Sequence, residues 1–389
     1  MRILSPPRRT TITGGTFARN SEAYDSLGRI ALPGLPRLEY VAGVGWVTWV
    51  EEAATNLLTA NQASVETDTT GFTVGGTATI EFSIDWKKIG TYSLKISNAN
   101  SSTNSVRFLT PVSVTSGLTY TYSFWVYNPN AYSITVYGKN YFIDNIVVPA
   151  QSEIRFAITR APETSWSSIN EYIHCATNDI FYVDAFQLEQ KAYPTTFCLS
   201  SSPRVAESLT MPTTGLSVAE GTIEGIVEVT DVAKRQGGDN SCVFRIPGTS
   251  GQVLFYHVST SADWYFLVSN GTSSNGGSLA DSLTPNGWYL YKVYWSSSAV
   301  VIFEIWSLST KTKVGSVSVA TSFLPPAFGS YVYIGTNAGS ALYLNTRFGK
   351  HRLSYTARTD DPDFDDLMPN DANTVGIFDP TPIYNQNVR

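Results

Sequence analysis

Carboxylates, histidines and aromatic rings are the side chains of this sequence whose spacing would betray chemistry. Cleaving a glycosidic bond takes two carboxyl groups roughly 5–9.5 Å apart, which one strand can supply when acidic residues alternate along it. Glu304 stands alone in Val301-Ile302-Phe303-Glu304-Ile305-Trp306, and Glu224 and Glu228 lie four positions apart, so no such pair is found. These glutamates read as solvent-facing strand residues. The 3 histidines, His174, His257 and His351, fall in different strand candidates, and no motif joins them into a Ser-His-Asp or metal site. No enzymatic activity is expected.

Binding chemistry is better represented. Sugar rings present apolar faces to aromatic side chains, while Asn, Asp and Gln orient the hydroxyls. Trp166, Trp264, Trp288 and Tyr343 fall near predicted turns or strand ends, and the polar stretch Asn270-Gly271-Thr272-Ser273-Ser274-Asn275-Gly276-Gly277 reads as a long loop able to line a site. The candidate ligand-binding residues are therefore Trp166, Trp264, Trp288, Tyr343, Asn270 and Asn275, each weighed against a place in a core. The acidic run Asp360–Asp366 is interrupted by Pro362 and Phe364 and lacks the spacing and glycine of an EF-hand loop, so it reads as a solvated turn. Cys175, Cys198 and Cys242 have no CxxC spacing and read as small buried hydrophobes.

The elements that must position these residues are strands. Of 389 residues only 15% are charged and 13% are aromatic, and strand and turn formers dominate. In Thr119–Tyr127 the alternation puts Tyr120, Tyr122, Phe124 and Val126 on one face before Asn128-Pro129-Asn130 turns the chain. Further strand candidates recur at short spacing without helical intervals. The fold class is all-β: two tandem antiparallel β-sandwiches of jelly-roll type with an extended N-terminal arm and a C-terminal tail. The expected divisions are an arm or docking segment over 1–50, a first sandwich over 51–190, a Ser/Thr/Pro-rich linker over 191–219, a second sandwich over 220–359 and a tail over 360–389. Residues 220–359 are expected to fold without the first sandwich. Arm and tail carry apolar residues (Val44, Trp46, Val47, Trp49; Leu367, Val375, Ile377, Phe378) and are expected to dock on partners or on the protein's own sandwiches.

Phe17–Gly28, Pro36–Tyr40 and Glu51-Glu52-Ala53-Ala54-Thr55-Asn56-Leu57-Leu58 resemble the N-terminal region of a family of phage structural proteins, which usually has Arg where this chain has Ala54. Residues 56–190 are similar to a carbohydrate-binding jelly roll, through Gly90–Ile96, Tyr122–Val126 and Phe181–Glu189. Residues from about 205 to 359 resemble a concanavalin/laminin-G-like sandwich, through Glu220–Gly225, Tyr333–Thr336 and Arg352–Arg358. The resemblance implies a virion structural protein of the tail-fibre, receptor-binding or decoration type. Jelly rolls of this resemblance often hold a structural calcium, for which Asp184 in the acidic position of the last strand is the one nameable ligand, weighed against an Asp hydrogen-bonded at a strand end; no other cofactor is expected.

A net charge of −6 opposes a nucleic-acid partner, and no apolar run is long enough for membrane insertion. The N-terminus lacks the apolar core of a signal peptide, which points to synthesis in a host cytoplasm and residence in the virion. The expected partners are other virion proteins, host cell-surface carbohydrate and further copies of the chain. The leading expectation is an outward-facing virion protein that binds host glycans. The alternatives are a ligand-free capsid or tail decoration protein and an accessory binding module of a polysaccharide-processing system.

Overall fold

The computed structural model describes residues 16–19, 21, 23–24, 30–31, 33, 36–101, 103–163, 167–200, 203–229, 241–258, 263–279, 283–296, 300–336, 343–368 and 371–380. It is all-β: every ladder between the described strands is antiparallel, and the one α-helix among the described residues is the single turn Ala60–Ala63. The chain separates into two compact units, one drawn from Ser21–Ala31 and Ala53–Arg204, the other from Met1–Asn20, Leu32–Glu52 and Val205–Arg389.

The unit built mainly from Ala53–Arg204 pairs two five-stranded sheets. The first runs Ser152–Arg160, Tyr120–Asn128, Phe181–Glu189, Ser93–Ser97, Thr79–Ser83. The second runs Asp144–Val148, Ile134–Lys139, Tyr172–Cys175, Val106–Phe108, Phe72–Val74. The period of two decides what lies between them. Tyr120, Tyr122, Phe124 and Val126 all turn inward and are at most 2% exposed, meeting Phe156, Phe186 and Phe108 in one apolar cluster. Fully burying a side chain of this size contributes roughly 1.5–3 kcal/mol, so this row anchors the sandwich. Asn56 closes the unit at its entry: its Nδ2 donates to the carbonyls of Phe186 and Cys198, and its Oδ1 accepts from the Leu58 and Leu188 amides.

The other unit stacks a seven-stranded sheet on an eight-stranded one. The seven-stranded order is Thr16–Ala18, Ser208–Pro212, Tyr331–Ile334, Ser241–Pro247, Gln252–His257, Trp264–Ser269, Ser274–Leu279. The eight-stranded order is Thr312–Ala320, Val300–Ser307, Trp288–Trp295, Gly221–Glu228, Thr346–Ser354, Gly45–Val50, Leu38–Val41, with Thr374–Phe378 also paired to Thr346–Ser354. Val227, Phe244, Phe255, Phe303, Val332 and Phe348 fill the space between them.

The segment read as an arm is thus woven into sheets. Thr16–Ala18 pairs with Ser208–Pro212, and Gly45–Val50 pairs with Thr346–Ser354. The tail likewise supplies Thr374–Phe378, whose Phe378 is fully buried. Part of the segment read as a linker, Ser208–Pro212, is a central strand of the seven-stranded sheet. Charge fixes the arm as firmly as pairing. Glu207, fully buried, accepts from Arg19 at 2.8 Å and from two nitrogens of Arg37, whose remaining terminal nitrogen meets Glu51 at 2.7 Å.

Candidate functional site

The glutamates singled out from the sequence lie on the outer face of the eight-stranded sheet, each in a cross-strand ion pair. Strand register puts Arg352, Glu224, Lys292 and Glu304 side by side on four neighbouring strands. Arg352 meets Glu224 and Lys313 meets Glu304, both at 2.5 Å, while Arg347 meets Glu228. Opposite charges across a ladder stabilise the sheet. Burial pulls the Lys292 ammonium down, opposed by Glu224 and Glu304 on either side. The acidic run crosses this face: Lys292 donates to the Asp360 carbonyl, Phe364 meets Trp306 edge-on at 6.1 Å, and Met368 is buried. Its aspartates are exposed, as expected of a solvated turn, while Phe364 and Met368 pack the segment on the sheet.

The candidate ligand-binding residues are scattered. Trp264 is 2% exposed and packs against Phe255 and His257 inside the unit. Tyr343 is buried as well. Trp288 is half-buried with the Arg347 guanidinium over its ring at 5.3 Å. Asn270 caps the turn after Trp264–Ser269, accepting from the Thr272 and Ser273 amides at 2.9 Å. Asn275 lies on the edge strand Ser274–Leu279, so the expected long loop is a tight hairpin. The alternation of Trp264–Ser269 explains the first placement: Trp264, Phe266 and Val268 share the inward face. Trp166 lies outside the described residues. The histidines are separate buried residues; the Nδ1 of His351 bonds the Gly349 carbonyl, and burial drops this imidazole to about 4.

A different aromatic group stands on the outer face of the Ser152–Arg160/Tyr120–Asn128/Phe181–Glu189/Ser93–Ser97/Thr79–Ser83 sheet. Since Phe124 and Val126 point inward, Trp125 and Tyr127 point out. The register makes a row across all five strands: Glu153, Tyr127, Tyr182, Lys95, Glu81. At the usual strand spacing such a row spans roughly 19 Å. The turn between Thr79–Ser83 and Ser93–Ser97 folds back over this face and adds Trp86 and Lys88. The Trp86 ring lies 5.6 Å from Tyr127 with planes 12° apart, and the Lys88 ammonium sits 3.5 Å above the Trp125 ring.

Polar partners fix these rings. Trp86 Nε1 donates to Glu153 Oε2 at 3.1 Å, and Lys88 Nζ donates to Glu153 Oε1 at 2.7 Å. The Tyr182 hydroxyl donates to Asp85 Oδ2 at 3.1 Å, and Lys95 pairs with Glu81 at 2.9 Å. Burial, then the Asp85 bond, raises the Tyr182 phenol, so it stays a donor at neutral pH. The Glu153 and Glu81 side chains are 40% and 61% exposed, so their outer lone pairs face solvent. The result is a half-buried aromatic strip edged by carboxylate acceptors. It can stack on a sugar ring and accept from its hydroxyls.

Asp184 stands on the same outer face, opposite Trp125, but fully buried. Its Oδ2 accepts from the Lys88 and Ile89 amides at 2.8 and 2.9 Å, and its Oδ1 accepts from the Ala185 amide at 2.6 Å. Glu66 gives its oxygens to the Thr91 and Tyr92 amides in the same way. Calcium takes six or more oxygen ligands, whereas hydrogens of N–H groups point at these carboxylates. The donor set does not fit a calcium, and among the described residues no group of three His, Cys, Asp or Glu could hold a metal.

No known protein family matches this chain, and no curated protein matches it. Among solved structures it is similar to the CBM22-1–GH10 modules of the Clostridium thermocellum xylanase 10B complexed with xylohexaose, with 12% identity and a TM-score of 0.30, covering 36% of this chain and 29% of that one. A xylan-binding CBM22 domain is 17% identical with a TM-score of 0.27, over 36% of this chain and 95% of the domain. The enzymatically active domain of bacteriophage CBA120 tailspike protein 2 is 11% identical with a TM-score of 0.31, over 39% of this chain and 24% of that one. Likeness at this level assigns neither ligand nor activity, and the aromatic strip stands on its own geometry.

Proposed function

We propose that this protein is an adhesion component of a phage particle that binds cell-surface carbohydrate on the Trp86–Tyr127 face and performs no chemistry on it. One observation carries the reading. Two large aromatic rings lie nearly parallel and partly open on the polar side of a sheet, the Trp86 indole hydrogen-bonded to the Glu153 carboxylate at their edge. A core has no use for rings placed there, whereas a sugar needs an apolar platform with acceptors at its rim. The similarity of the 17–58 segment to phage structural proteins supports placement on a virion. Shallow sugar sites bind weakly because hydroxyls already solvated must be stripped of water, and many copies on one particle convert weak contacts into retention.

The test is multivalent display of the full chain on beads, incubated with host cells before and after removal of surface glycans. Retention that disappears with the glycans, and disappears equally for Trp86→Ala beads, supports the reading. Retention indifferent to both treatments would refute it and favour ligand-free decoration.

A further inference from the structure

We infer that Asp184 is the positioning residue of this site: without touching ligand, it holds the 85–92 turn on the sheet and so sets where Trp86 and Lys88 stand. The inference rests on the glycan-binding reading for its functional consequence, but its structural part is independent of any ligand.

The geometry is specific. The Phe181–Glu189 strand alternates outward and inward until an irregularity opposite Ser123–Trp125, where Ala185 takes a φ of +53°. A positive φ at a residue with a Cβ is uncommon and strained. The Asp184 carboxylate, on the outer face by the period of two, lies under the turn. There two successive amides, Lys88 and Ile89, converge on one oxygen. A carboxylate bound by amides of a turn fixes that turn at the residues in question, and Lys88 is both an anchor through its amide and a site residue through its ammonium over Trp125. Trp86 is two residues away, its carbonyl accepting from the Ser93 hydroxyl.

Glu66 anchors the other end of the turn through Thr91 and Tyr92. Gly90 makes this approach achievable: its φ is +58°, and a Cβ there would lie 2.3 Å from the Glu66 carboxylate. The turn is therefore held by two carboxylates, and Trp86 and Lys88 join the aromatic strip only while it is held there. Burial raises the Asp184 carboxyl to about 7 against the pull of three amides, which favour its charged form. Preorganising a binding loop in this way limits the ordering entropy lost when ligand arrives.

The experiment compares full-length wild type with Asp184→Asn, Gly90→Ala and Trp86→Ala. Hydrogen exchange of the Lys88 and Ile89 amides and acrylamide quenching of Trp86 report the turn. Exchange at Tyr122 and Phe124 reports the core, and retention by xylohexaose-coated beads reports binding. Asp184→Asn has one acceptor oxygen for three amides, must set its NH2 against the Ala185 amide or against the Lys88 and Ile89 amides, and loses the charge that strengthens all three bonds. Exchange at 88 and 89 is therefore expected to rise tenfold or more and Trp86 to become more quenchable, with Tyr122 and Phe124 still protected. Gly90→Ala, which leaves Asp184 intact, is expected to loosen the turn from its other end, covering the case in which Asp184→Asn fails to fold. Trp86→Ala is expected to keep the amides protected. Unchanged exchange and quenching in Asp184→Asn would overturn the inference, as would millimolar calcium raising the melting temperature of wild type but not of that variant. Loosened amides in a protein whose wild type is retained neither by these beads nor by glycan-bearing host cells would sink the glycan reading while leaving the positioning role in place.

Discussion

Arg37 and Glu207, 170 positions apart, face each other through two hydrogen bonds in a space closed to solvent. Burial works against the Arg37 charge, and Glu207 and Glu51 more than offset it. Removing one partner of such a pair leaves a buried charge unanswered, at a cost of about 3–5 kcal/mol. Glu207→Leu is therefore expected to destabilise its unit by that amount in urea unfolding. A loss under about 1 kcal/mol would show that Arg19 and Arg37 find water instead.

The same relationship bears on which piece of chain folds alone. A fragment of residues 220–359 lacks Thr16–Ala18, Leu38–Val50, Ser208–Pro212 and Thr374–Phe378, and with them strands of both sheets of its sandwich. It is expected to be insoluble or molten by near-ultraviolet circular dichroism and dye binding. Cooperative unfolding of that fragment would mean that the added strands only decorate a finished core.

Much of this architecture was legible and its pairing was not. The strand Tyr120–Asn128 stands where alternation put it, with its inward row intact. Gly45–Val50 reads as an arm because its partner, Thr346–Ser354, lies some 300 residues on, and local pattern carries no sign of so distant a ladder. The site was half-legible. Placing Tyr120, Tyr122, Phe124 and Val126 inside requires Thr121, Ser123, Trp125 and Tyr127 outside, and two large rings on the polar face of a strand are the signal to follow. Trp86 gives no such sign, since it reaches Tyr127 only because a turn folds back across the sheet. Trp264 and Tyr343 mislead for the opposite reason: nearness to a turn says nothing about which way a ring points.

Acid should loosen the unit that contains His351. Its imidazole is held neutral by burial and titrates near 4 instead of 6.5. A group whose folded pKa is depressed contributes stability that is whole above its unfolded value and is lost as pH falls through the folded one. Between pH 6.5 and about 4 the loss should reach about 3 kcal/mol. His351→Leu is expected to flatten that limb of a stability–pH curve measured with urea. An unchanged slope would place the acid sensitivity elsewhere.

The aromatic strip itself is tested most directly by affinity electrophoresis through gels containing soluble polysaccharides, neutral and acidic, with xylan among them. Wild type, Trp86→Ala, Tyr127→Ala and Trp288→Ala are run side by side, with melting temperatures recorded for each. The account predicts that at least one polysaccharide retards the wild type and Trp288→Ala alike. It also predicts that Trp86→Ala and Tyr127→Ala weaken retention about tenfold, near 1.4 kcal/mol, with melting temperatures unmoved. Retardation that survives the loss of both rings, or a wild type that runs freely in every gel and ignores the same glycans on beads, would contradict it.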